Sequence, residues 1–133
     1  MNNSETTKEV TPFIYMVGYD RTFQKNCNTG WGCGYVCLPI EHPKAVLHFE
    51  RLADDNKKLA EAKEDEYIYV NPYFEIAGGL NQEVTLTETE EIDGDKYLVI
   101  GFDTAHSWND STHNFNYVFR ETREMLNIIL AKE

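Results

Sequence analysis

The chain has 133 residues, 12 Lys plus Arg against 23 Asp plus Glu, and a formal net charge of −11. That balance argues against direct nucleic-acid binding and against docking on an anionic membrane, since both need a basic surface. Apolar residues make up 41% and aromatics 13%, enough for a core and against wholesale disorder. No apolar run approaches the ~20 residues that span a bilayer.

Residues 1–10 are polar and lack the apolar stretch of a signal peptide. They read as a loose tail ahead of one cytoplasmic domain over residues 11–133. Pro12 to Tyr19 is rich in aromatic and β-branched residues and predicts a strand. Asp20 to Gly32 is polar and reads as a loop. Gly34 to Ile40 predicts a second strand, with Pro39 indicating an edge position or a strand terminus.

From Pro43 to Lys63 apolar residues (Val46, Phe49, Leu52, Ala53, Leu59, Ala60) recur at helical spacing among charges, with Pro43 suited to the first turn. Lys57, Lys58, Glu61 and Glu64 belong to its solvated face. Tyr67–Val70 and Phe74–Ala77 are short strand candidates, and Gly78-Gly79 breaks the chain after them. Val84–Glu91 alternates, Asp93-Gly94-Asp95 signals a turn, and Lys96–Asp103 returns as an apolar strand, together a hairpin. Ala105–Asn114 is a polar loop, and Asn116–Lys132 predicts a second helix with Val118, Thr122, Met125 and Ile129 along one face. The fold class is α+β, a mainly antiparallel sheet with two helices packed on it.

Cys27, Cys33 and Cys37 form an odd set at C-x5-C-x3-C spacing. They predict reduced structural thiols, neither a disulfide framework nor a paired zinc motif, so no metal or cofactor is expected. The densest polar constellation is Asp103, His106, Asp110 and His113, in a loop behind a buried strand. Such residues bind a divalent ion, form a His–Asp general base, or hydrogen-bond a polar ligand. The structural alternative is that Asp103 satisfies backbone N–H groups at a strand end while His106 packs on Trp108. Gly30, Gly32 and Gly34 match no phosphate-binding loop and read as turns, as does Gly78-Gly79. Arg120 and Arg123, three apart on the second helix, suit either an anion clamp or salt bridges with Glu121 and Glu124. Trp31 and Trp108 lie in polar loops, where an indole can stack on a flat ring.

Several segments together resemble small, largely uncharacterised proteins of bacteriophages and related mobile elements. They are Gly34-Tyr35-Val36, His42-Pro43, Gly78-Gly79-Leu80, the stretch Ile100-Gly101-Phe102-Asp103-Thr104-Ala105-His106 with nearby Asp110, and a helix with Val118 and Glu121-Thr122. About half the chain is covered, discontinuously, and Gly101–His106 is the specific part. Asn81 departs from the pattern, which has threonine there, and Lys44–Glu66 looks like a helical insertion. The resemblance implies an anti-defence role in the host cytoplasm: binding a host protein, or sequestering a nucleotide-derived immune signal as a homo-oligomer.

Three functions follow as expectations. The leading one is capture of a small nucleotide-like ligand by Trp31, Asp103, His106, Trp108, Asp110 and Arg120, without catalysis. The second is a metal-assisted hydrolase or phosphodiesterase using His106 with Asp103 or Asp110. The third is an acidic interaction module that inhibits a host factor.

Overall fold

A computed structural model describes residues 10–76 and 78–131. The expected tail therefore lies outside the described residues except for Val10, as do Ala77 and the Lys132 end of the second helix. Among the described residues the elements are β1 (Phe13–Gly18), α1 (Arg21–Cys27), β2 (Gly32–Pro39), α2 (Pro43–Ala60), β3 (Leu86–Ile92), β4 (Asp95–Phe102) and α3 (Phe115–Leu130). The four strands form one antiparallel sheet in the order β1-β2-β4-β3. The α+β class and the hairpin are as the sequence predicts. Asp93 and Gly94 both take positive φ, which suits the tight right-twisted turn between β3 and β4.

Alternation along the strands sorts the side chains onto two faces. Val36 and Leu38 of β2 and Leu98, Ile100 and Phe102 of β4 point to one face, where Ala45, Val118, Met125 and Ile129 of the helices close the core. Fully burying each of these side chains larger than Ala45 contributes ~1.5–3 kcal/mol. On the other face Cys37, Val99 and Tyr97 are buried, and Phe13, Tyr15 and Tyr35 pack against them. Tyr15 and Tyr35 stack at 4.7 Å, Phe13 meets Tyr97 edge-on at 5.1 Å, and the Tyr35 ring lies over Gly101. Burial pushes the Cys37 thiol up to about 11, so this cysteine is a small apolar filler.

Three expectations change. The predicted loop after Asp20 holds a third helix, α1, capped by the Asp20 carboxylate at Thr22 and Phe23 and closed by Asn28 at φ 52°. It buries no residue, so it leaves no apolar periodicity to detect. Tyr67–Val70 and Phe74–Ile76 are not strands. They belong to an irregular segment whose later part, a strap over residues 71–76 and 78–84, lays Phe74, Ile76, Leu80 and Val84 onto the core. Of the two positions open to Pro39, the strand terminus is the one observed, at the end of a central strand. Gly34 lies in β2, as the strand reading and not the turn reading has it, and Gly32 lies in β2 as well: a Cβ on Gly34 would lie 2.0 Å from Thr122 Oγ1, and one on Gly32 would lie 2.1 Å from the Val17 carbonyl oxygen.

Candidate functional site

The strand β4 ends at Phe102, and the next eleven residues turn back on themselves before Asn114 caps α3. Asp103 opens this loop. Its Oδ1 accepts the Ala105 N–H at 3.0 Å, and its Oδ2 accepts the Thr85 hydroxyl at 3.1 Å. His106 Nε2 lies 3.5 Å from Asp103 Oδ1 and is shielded from solvent. The His106 ring lies parallel to the Trp108 indole, 5.6 Å between centroids with an interplanar angle of 3°. His113 meets Trp108 edge-on at 5.8 Å and Tyr117 at 4.6 Å.

Asp110 works locally. Its Oδ1 accepts the Thr112 N–H at 2.9 Å and the Thr112 hydroxyl, and these bonds hold its carboxyl below the usual carboxylate range. Its own N–H donates to His113 Nδ1 at 3.0 Å, which leaves the His113 proton on Nε2 when the ring is neutral. Thus Asp103, His106, Trp108 and Asp110 do come together, joined by His113. The contacts of the structural alternative and a half-exposed indole face are present in the same loop.

Trp31 and Arg120 approach this loop from other elements. The Trp31 N–H donates to the His113 carbonyl at 2.8 Å, while its ring stands edge-on to Phe115 at 5.1 Å and packs into the core. Arg120 is exposed on α3, one turn beyond Tyr117, whose phenol feels its charge. Arg123 places its guanidinium over the Phe119 ring at 5.5 Å. Glu121 is not a surface partner of these arginines.

Beneath the loop lies a polar network that the sequence did not single out. Glu121 is buried, and its carboxylate accepts the Asn81 N–H at 2.5 Å, the Gln82 N–H at 2.8 Å and the Asn81 amide at 3.3 Å. The Gln82 amide donates to the Asp103 carbonyl at 2.8 Å and accepts from Asn109 at 3.1 Å and the Tyr117 hydroxyl at 2.9 Å. Burial and the Glu121 charge push the Tyr117 phenol up to about 12. Asn109 in turn accepts the His106 N–H at 3.0 Å. Thr104, fully buried, both donates to and accepts from the Gly32 backbone. Glu121 had one available signal: it falls three residues after Val118 and four before Met125, beside the buried stripe of α3.

A cleft of about 260 Å³ opens elsewhere, toward the C-terminal end of α3. Its walls include Lys44, His48, Arg51, Phe74 and Ile128, and none of the six predicted ligand residues reaches it. Lys44 is held by the Ala131 carbonyl at 3.0 Å, and Arg51 by the Asn71 and Tyr73 carbonyls at 2.8 and 2.7 Å. Among the described residues no three His, Cys, Asp or Glu side chains converge as a metal site. No helix among them is long and apolar enough to cross a membrane. No protein-family model, curated protein or solved structure matches this chain.

Proposed function

We propose that this protein captures a small nucleotide-derived molecule without transforming it, as an anti-defence protein acting in the cytoplasm of a phage-infected host. The observation that carries the proposal is the Trp108 indole, 50% exposed and backed by the parallel His106 ring. An aromatic plane held in place offers a stacking surface to any flat heterocycle at low entropic cost. Arg120, exposed beyond Tyr117, supplies positive charge for a phosphate in a chain that otherwise repels anions. The sequence resemblance around Gly101–His106 supports the phage context.

Capture is favoured over hydrolysis by the state of the His–Asp pair. Both Asp103 oxygens accept hydrogen bonds that tie the carboxylate to its own loop and to Thr85, and among the described residues no third His, Cys, Asp or Glu converges with the pair to hold a metal. The test is native mass spectrometry and calorimetry against cyclic nucleotides and ADP-ribose derivatives, with wild type, Trp108→Ala and His106→Ala. Binding of an intact ligand that Trp108→Ala weakens by about tenfold or more supports capture. Turnover that His106→Ala or chelation abolishes would make the protein a hydrolase. Absence of any small-molecule binding, with salt-sensitive association to a basic host protein, would make it an acidic inhibitor.

A further inference from the structure

Among the described residues β1 hydrogen-bonds on one side only, to β2, so its outer edge presents unpaired backbone N–H and C=O groups. The six residues Phe13–Gly18 carry no charge and no proline, and their register against β2 runs without a bulge. The opposite edge, β3, carries Glu88, Glu90 and Glu91. Charges, prolines and bulges are the devices that keep sheet edges from pairing. The β3 edge is charged, and β1 has none of these devices.

The helix above that edge is apolar on the same side. One flank of α3 faces the strap, where Tyr117 and Glu121 bond to Gln82 and Ile128 lies close to Gly79. At 3.6 residues per turn the other flank carries Phe115, Phe119, Leu126 and Leu130. Phe115, Phe119 and Leu130 are between 37% and 47% exposed, and the two phenylalanine rings stack at 6.3 Å. The strap bonds to β3 through Phe74 and Thr87, so this second flank faces the β1 side of the sheet.

We infer that β1 and the adjoining flank of α3 form the interface with a second copy of this chain. Two β1 strands pair antiparallel about a two-fold axis perpendicular to the sheet, joining two four-stranded sheets into one. Same-face pairing centred on Tyr15 sets Phe13 opposite Val17 of the partner subunit and Ile14 opposite Met16 of the partner subunit. Strands in a sheet stand ~4.8 Å apart, and α3 lies over β1 and β2, so its axis falls about one strand spacing from the two-fold. The operation then brings the two α3 helices to ~10 Å, close to the 8–10 Å at which helices pack.

Charge selects the occupant. Two copies that each carry −11 repel least where acids are absent, and among the described residues this flank holds no carboxylate and a single cation, Arg123. A basic partner would be drawn to the acidic β3 edge instead. The pairing does not depend on the ligand proposal, and its test uses no ligand.

Sedimentation equilibrium and native mass spectrometry of the full chain read the result directly. Wild type is expected at twice 15.4 kDa. Phe119→Glu and Val17→Lys, both at exposed positions, weaken the dimer by about tenfold or more, while Leu47→Glu, in the cleft on the strap side, leaves it intact. Hydrogen exchange of wild type adds a check independent of variant folding: β1 amides on both edges are protected in the dimer, and those on the outer edge exchange on dilution. A monomeric wild type at the highest soluble concentration overturns the inference. So does a dimer that survives both substitutions, or one whose outer β1 amides exchange freely.

Discussion

The covered face of the sheet has two halves built on different principles. Over β1 and β2 lies α3, which satisfies its own backbone and needs only an apolar stripe and a cap from Asn114. Over the β4 and β3 half lies the strap, which has no ladder of its own. Its backbone groups are met by side chains: Arg51 at Asn71 and Tyr73, Thr87 at Phe74, and Glu121 at Asn81 and Gln82. Buried backbone polar groups must find partners, so an irregular cover recruits charged residues that a helical cover does without. Polar residues around such a segment are therefore structural first, even where their types suggest chemistry.

The helical half should break most sharply at Gly34. A Cβ there meets Thr122 Oγ1 at 2.0 Å and the Phe102 ring at 2.9 Å, and the Thr122 hydroxyl is itself fixed on the Val118 carbonyl. Gly34→Ala is expected to lower unfolding stability by about 3 kcal/mol or more, the upper range for overpacking a core. Urea titration measures it. Combining it with Thr122→Ala should recover part of the loss, because the second change removes the colliding atom; strictly additive costs would refute the close-approach account.

The strap half should break at Glu121, with a somewhat smaller effect. Glu121→Ala strips the acceptor from two backbone N–H groups and the Asn81 amide. Unsatisfied buried groups cost ~1–3 kcal/mol each, partly relieved here because Asn81 reaches solvent. A loss of about 2–3 kcal/mol in urea unfolding is expected, together with faster amide exchange confined to residues 78–84. Exchange that rises equally across the sheet would mean the strap is not the element Glu121 holds.

The same contrast explains what was legible in the sequence. Helices α2 and α3 announce themselves through apolar periodicity, and the β3–β4 hairpin through alternation around Asp93-Gly94. The segments Tyr67–Val70 and Phe74–Ile76 have strand-like composition, yet composition reports side chains that fit a pleated surface, not a free edge to pair with. Phe74 and Ile76 spend their apolar surface on the sheet's face instead. The loop 103–114 was legible as a cluster because its residues are close in sequence. Its supports were not, since Gln82 and Glu121 lie 21 and 18 residues from Asp103 and only folding brings them beneath it.

The smallest expected effect is a pH dependence that sharpens the contrast by loosening the strap side alone. His42 caps α2, its Nδ1 accepting the Lys44 N–H at 3.1 Å, and His48 is buried between the rings of Phe49 and the strap residue Phe74. Burial, then Lys44 for His42 and Arg51 for His48, lowers both rings below the ordinary 6.5, with Glu75 opposing the shift at His48. The folded state therefore favours neutral imidazole. Its contribution to stability is complete above the unfolded value and is lost as pH falls through that value toward the depressed folded one. The urea midpoint should fall from about pH 7 to about pH 5.5, before carboxylates with depressed values begin to protonate. His42→Asn retains a capping acceptor and removes one titration, so its midpoint should fall less. Because the remaining dependence belongs to His48 against Phe74, amide exchange at the strap should accelerate with acid while α3 stays protected. A midpoint that is flat or rises over this interval would show that protonated imidazole is accommodated at both positions, and that the strap's contact with α2 is looser than its hydrogen bonds imply.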